Sequence, residues 1–306
     1  MSVAKIKGLR AGAATLARPA GAPRPTGPPT GDDDAARARS RIRPGRWVAG
    51  AVFAVLAAQL AVFLVRNPAF EWGVVAEHLF KPSVLRGLAM SVLLAVVAML
   101  AGSLLGVCLA VAALSGFAPA RWISAAYITL FRGVPPLVQL LFWFNLAYLL
   151  PEISIGIPFG PTFAQWPTND VITSLTAAMV ALSLHEAGYM SEIIRGGLLS
   201  VPPGQRDAAR SVGFTSAQAF LRITLPQAMR FIIPPSGSQF ITVLKGSSLV
   251  SVIAMSDLLH SVQAIYSRTY QVIPLLLVAC FWYLVVVTVL SVGQRHLERY
   301  FARGIG

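Results

Sequence analysis

A chain of 306 residues that is 56% hydrophobic and only 12% charged is no ordinary soluble domain, which carries roughly 25% charged residues. The balance predicts an all-α, polytopic membrane protein. A net charge of +13 does not call for nucleic acid here, because Lys and Arg accumulate on the cytoplasmic side of membrane proteins. The two cysteines, Cys108 and Cys280, both lie in apolar runs and exclude a disulfide framework.

Residues 1–45 are rich in Ala, Arg, Pro and Gly, carry the acidic triplet Asp32–Asp34, and predict a disordered basic cytoplasmic tail. The tail lacks the apolar region of a cleavable signal peptide. Trp47–Val65 is the first apolar run, with Gln59 its one strongly polar side chain, and about 20 residues suffice to cross a bilayer core of roughly 30 Å. Residues 46–83 are therefore one N-terminal span and an outside loop. Val84–Leu114 predicts the second span, and its Gly102-x-x-x-Gly106 spacing lets helices approach closely. Arg121–Phe131 reads as an interfacial helix, and Arg132-Gly-Val-Pro-Pro leads into a third span, Val134–Leu150. Pro151–Asp170, with four prolines and no Lys or Arg, predicts an outside loop. The fourth span, Val171 to Ile194, turns polar towards its inner half at His185, Glu186, Tyr189 and Glu192.

A polar island follows at residues 202–226. Pro202, Pro203 and Gly204 break the preceding helix, Gln205, Arg206, Asp207, Ala208, Ala209 and Arg210 suit a short helix, and Gly213 supplies a left-handed C′ position. Thr215 and Gln218 have the form of a capping box that restarts a helix, and Pro226 is expected to close it, giving two short helices in an L. An ordinary loop has the same grammar. Phe231–Asp257 predicts a fifth span interrupted at Pro234-Pro235 and Lys245, and Tyr270–Gly293 a sixth; residues 295–306 form a C-terminal tail. With both termini inside, twenty Lys or Arg face the cytoplasm, Arg66, Lys81, Arg86 and Arg268 face out, and Lys245 stays in the membrane.

The absences are informative. There is no Gly-Lys dipeptide, hence no phosphate-cradling P-loop; His185-Glu186 lacks the second His of a zinc protease, and no Gly-x-Ser-x-Gly elbow occurs. Four scattered histidines offer no metal site. Polar groups at membrane depth remain, and these mark protein interiors or solute paths. The candidates for a substrate path are Gln139, Asn145, Glu186, Tyr189, Gln239 and Lys245. Helix packing explains Gln139 and Asn145 as easily, a neighbouring helix or the interface would equally satisfy Glu186, and Lys245 suits a helix end or a break in the span. Glu192 and Arg195 suit a structural ion pair.

Asp207-Ala208-Ala209, Gly213 and Ile223-x-Leu225-Pro226 resemble the signature loop of the membrane subunits of binding-protein-dependent ABC importers, with Asp207 replacing the usual Glu. Phe131-Arg132-Gly133, Glu192-Ile193-Ile194-Arg195-Gly196-Gly197, Ser200-Val201-Pro202 and Leu244-Lys245-x-x-Ser248-Leu249 are similar to the polar amino acid branch, with Ser238 and Gly246 as departures. The resemblance covers about residues 85–303 and implies a five-span permease core within 84–294, to which Trp47–Val65 is an addition. It implies that Gln205–Gly213 and Ile223, Leu225 and Pro226 couple to an ATPase subunit present in two copies. It further implies a second permease, the same or a sister, an extracytoplasmic solute-binding protein, and a bacterial plasma (inner) membrane location. ATP and magnesium would belong to the ATPase, and no cofactor or hydrolysis to this chain. Alternatives are a permease for a related non-amino-acid solute, and an ion-coupled carrier or channel gated by Glu186 and Lys245.

Overall fold

The computed structural model describes residues 44–157 and 160–302, so most of the basic tail expected over residues 1–45 and the last four residues lie outside the described region. The chain divides into two units at Phe63/Leu64. Helix α1, Pro44–Arg66, runs through 23 residues with a proline in its first turn, where the missing N–H costs no hydrogen bond.

The second unit is a bundle. Asn67 caps a short turn, and α2, Trp72–Leu79, lies against the long C-terminal helix, where the Trp282 indole donates to Leu79 O at 2.8 Å. Helix α3, Pro82–Leu114, has 33 residues, about 50 Å at 1.5 Å each. One face of it is buried, and apart from Val84 and Leu94 that face consists of small residues: Gly87, Ser91, Ala95, Ala98, Gly102, Gly106 and Ala110. It packs along α7, Ser174–Leu199, which buries Ala177, Ala178, Ala181 and Ala187 in return. A Cβ at Gly102 would sit 2.7 Å from Glu186 Cβ, and one at Gly106 would sit 2.8 Å from Met190 Cβ. The Gly-x-x-x-Gly spacing therefore brings two backbones together, as it does between helices generally in bilayers, where close packing replaces the hydrophobic drive.

Between these helices, α4, Ala118–Gly133, turns by 101° into α5, Pro136–Phe144. The corner is made by Val134 and Pro135, both extended, as the residue before a proline prefers. The expected third span over Val134–Leu150 is thus corrected: α5 has nine residues, about 14 Å, and Asn145 closes it by donating its side-chain amide to Leu141 O at 2.8 Å. The expected loop after it holds an antiparallel hairpin, β1 Glu152–Gly156 with β2 Thr162–Pro167, in which Ile153 faces Trp166 and Ile155 faces Ala164. Thr168–Val171 forms the one-turn α6, and Thr173 caps α7 by accepting from Thr176 N.

Helix α8, Pro203–Ser211, leads through Gly213 to a helical run that continues from Ser216 to Ile253. The run comprises α9 (Ser216–Ala219), a π-helical turn over Phe220–Thr224, α10 (Leu225–Gly246) and a 3-10 stretch over Ser247–Ile253. Two expectations fail here. Pro226 does not stop the second helix of an L; it opens α10, because the wider π turn, with Leu225 N bonded to Phe220 O, makes room for a residue that lacks its own N–H. Pro234-Pro235 does not interrupt the span either. The Ser236 hydroxyl donates to Ile232 O at 2.7 Å, and Gln294 reaches across to donate to Pro234 O. Ala254, at φ 55°, ends the run; Asp257 then caps α11, Leu258–Thr269, by accepting from His260 N at 2.7 Å. Helix α12, Val272–Ala302, completes the bundle.

Among the described residues three helices, α1, α3 and α12, are long and apolar enough to cross a membrane by themselves. Counting α4 with α5, and the 216–253 run with α11, as bent spans brings the number to five. Helix α7 is long enough at 26 residues, but its polar C-terminal half lowers its apolarity. It is also the most enclosed: Glu186, Ala187 and Gly188 are buried on three successive positions, so its polar groups face protein.

Candidate functional site

Two features stand out from the bundle. The first is the α8 segment. Pro203 opens the helix, and Gly213 ends it at φ +89°, a conformation that costs a side-chain-bearing residue about 1 kcal/mol or more. The Gly213 N–H reaches Arg210 O at 3.0 Å and the Phe214 N–H reaches Ala209 O at 3.1 Å, the paired bonds of a Schellman motif. Two residues on, Thr215 Oγ1 accepts from Gln218 N while Gln218 Oε1 accepts from Thr215 N at 2.9 Å, a complete capping box. The turn between the helices is thus fixed at both sides by bonds between residues at most five apart.

This fixed turn decides which side chains are presented. Ala209 is 2% exposed and rests towards the π turn, while Gln205, Arg206, Asp207, Ala208, Arg210 and Gly213 are all exposed. Val212 is 75% exposed and Leu221 60%. Ile223 and Leu225 are half-buried at the foot of α10, with Pro226 exposed beside them. A charged face flanked by exposed aliphatic side chains has the chemistry that suits a protein partner. It is also tied to both long helices, since α7 runs into α8 and α8 into the run that becomes α10.

The second feature is a cavity of about 170 Å³ lined by Pro136, Leu182, His185, Glu186, Tyr189, Gln239, Thr242, Val243, Gly246 and Leu249. It lies between α5, α7 and α10. Glu186 is fully buried; its Oε2 accepts from Gln239 Nε2 at 3.0 Å, and its Oε1 has no hydrogen-bond partner among the described residues. Beside it the His185 and Tyr189 ring centroids are 5.1 Å apart, and the Arg132 guanidinium sits over the Tyr189 ring at 5.0 Å. Gln139, 6% exposed, donates its amide to Phe131 O at 2.9 Å and Val134 O at 2.8 Å and approaches His185 Nδ1 at 3.2 Å. One side chain therefore holds both arms of the α4–α5 corner to α7.

Of the residues the sequence offers for a substrate path, Glu186, Tyr189 and Gln239 line this cavity, with Gln139 one side chain behind it. Asn145 and Lys245 do not line it. Asn145 is an exposed helix cap, and Lys245 is exposed in the last turn of α10. In an apolar run their polarity looks the same as that of a cavity residue, and helix phase separates the two kinds. The other lining residues, Pro136, Leu182, His185, Thr242, Val243, Gly246 and Leu249, are not among those candidates; His185 carried a signal, standing four residues before Tyr189 on one helix face. Glu192 and Arg195 form a two-pronged pair, at 2.7 and 3.1 Å, one turn further along α7. Among the described residues no group of three or more His, Cys, Asp or Glu is placed to hold a metal ion.

A helical membrane bundle with a polar interior cavity and a rigidly turned, charged connecting helix is the form of a membrane transport component. Residues 98–303 match the family of binding-protein-dependent transport system inner membrane components, and the chain belongs to that family. It is 36% identical over 264 residues to the arginine transport system permease protein ArgU of Corynebacterium glutamicum, covering 85% of this chain and 81% of the relative. It is likewise 36% identical over 230 residues to the glutamate/aspartate import permease protein GltK of Escherichia coli O6:H1, covering 75% of this chain and 97% of the relative. A solved structure of an amino acid ABC transporter with histidines superposes with a TM-score of 0.61 at 34% identity, over 72% of this chain and 95% of that one.

Proposed function

We propose that this chain is the permease subunit of an ATP-driven importer of polar amino acids, supplying the path and the movement while a separate ATPase supplies hydrolysis. The observation that carries the proposal is the α8 segment: Asp207-Ala208-Ala209 lie on an exposed helix that Gly213 ends, and Ile223-x-Leu225-Pro226 stand at the π turn and the start of α10, so the whole motif joins directly to the helices of the cavity. Two ATPase copies, binding ATP and magnesium themselves, would each receive one such helix, one from this chain and one from a second, identical or sister permease. A solute-binding protein would deliver the amino acid to the opposite face. The names of the relatives, arginine in one and glutamate/aspartate in another, support an amino acid as cargo.

The charge distribution supports cytoplasmic N- and C-termini, with α8 on the same side. Six spans fit that orientation: α1 as an added one, then α3, the α4–α5 pair, α7, the 216–253 run with α11, and α12. Mechanistically, a push on α8 reaches α7 at one end and α10 at the other. These two helices are bridged across the cavity by the Glu186–Gln239 hydrogen bond, so their relative motion opens or closes the space between them.

The test is uptake into proteoliposomes holding the full chain, its ATPase and its binding protein. ATP-dependent accumulation of a labelled polar amino acid, insensitive to ionophores, is expected. Flux driven by an ion gradient without ATPase would instead support a carrier.

A further inference from the structure

The relatives carry substrates of opposite charge, so family membership leaves the sign of the cargo open; the cavity does not. We infer that the cavity selects amino acids of net positive charge, through Glu186, and rejects anionic ones. The inference rests on the importer function proposed above and concerns which member of that substrate class passes.

Every α-amino acid brings one ammonium and one carboxylate, which cancel, so its net charge is that of its side chain. The lining residues carry one carboxylate, Glu186, and no Lys or Arg. Glu186 is fully buried, and no ion pair involving it occurs among the described residues, where the pairs are Lys81–Glu77 and Arg195–Glu192. Its single protein hydrogen bond uses Oε2 and a neutral donor, Gln239. Oε1 is buried without a partner among the described residues. A carboxylate so placed loses its hydration without full compensation, and a guanidinium or ammonium entering the cavity restores it, whereas a second carboxylate meets like charge at low dielectric. Arg132 does not line the cavity, and its guanidinium lies over the Tyr189 ring. Lys245 is exposed and outside the lining. The remaining polar groups, His185, Tyr189, Gln239 and Thr242, serve as hydrogen-bonding partners for the backbone end of any amino acid. By volume the cavity holds on the order of ten waters, room for one small polar solute.

The experiment is equilibrium binding of radiolabelled L-arginine to the full chain with its ATPase in nanodiscs, with no binding protein present, so that the selectivity measured is that of the permease. Competition uses unlabelled L-lysine, L-glutamine and L-glutamate. The expected result is displacement by lysine, displacement by glutamine weaker by about thirtyfold or more, and none by glutamate at millimolar concentration; Glu186→Gln then loses about thirtyfold in arginine affinity and with it the preference over glutamine. Glutamine or glutamate displacing arginine as well as lysine does would overturn the inference, as would a Glu186→Gln protein that keeps the arginine preference. Should Glu186→Gln fail to fold, the wild-type competition series decides alone. ATP-driven uptake of glutamate in preference to arginine would likewise overturn charge selection while leaving the importer function standing. Absence of ATP-driven uptake alongside intact arginine selectivity would overturn the importer function instead.

Discussion

Gly102 and Glu186 define the tightest contact of the bundle that also borders the cavity. An added Cβ at Gly102 meets Glu186 Cβ at 2.7 Å and its Cγ at 2.8 Å, both on a helix already packed backbone to backbone. Neither helix can yield locally, so Gly102→Ala should cost about 1–3 kcal/mol, read as a fall in the thermal unfolding midpoint in detergent. Gly116→Ala, where an added Cβ meets nothing within 4 Å, is the control and should leave the midpoint unchanged. Equal midpoints for both variants would mean that the two helices are not in contact as described. The Gly-x-x-x-Gly spacing was legible in the sequence, but its partner was not. Glu186 and Met190 are recognisable as the opposing residues only once α3 and α7 are side by side.

At the scale of elements, the corner between α4 and α5 depends on Gln139. Its amide serves two carbonyls that the extended Val134-Pro135 linkage leaves without helical donors. Gln139→Leu keeps the volume and removes both bonds. Buried hydrogen bonds in membrane proteins average well under their nominal worth, so a loss of about 1–2 kcal/mol in unfolding stability is expected. A stability equal to wild type would show that the prolines alone set the corner. What was legible here follows range. The Gly213 stop and the Thr215–Gln218 box involve residues at most five apart, and both could be read from the chain. The π turn before Pro226 could not, because a proline after a helical stretch equally suits a stop or a start. The hairpin's alternation, Glu-Ile-Ser-Ile-Gly against Thr-Phe-Ala-Gln-Trp, stood in the sequence but was masked by four prolines that read as loop. The Glu186–Gln239 bridge spans 53 positions and has no local signature at all.

For the molecule as a whole, the arrangement couples two ends. One end exposes α8, held rigid by its caps; the cavity sits between the helices that α8 joins. Helix α7 is the link, and its enclosure by α3, α5 and α10 explains how a helix bearing His185, Glu186 and Glu192 belongs in an apolar bundle. Helix α7 follows the stretch read as the fourth span, Val171 to Ile194, in spite of its polar residues, whereas the bend between α4 and α5 could not be read from apolarity. The most direct measurement concerns the proposed coupling through α8. In proteoliposomes holding the full complex, Gly213→Asp should place a side chain at φ +89° and tilt α8 away from its seat. The predicted result is wild-type membrane insertion, continued ATP hydrolysis and loss of amino acid uptake. Uptake at the wild-type ratio to ATP hydrolysed would contradict it.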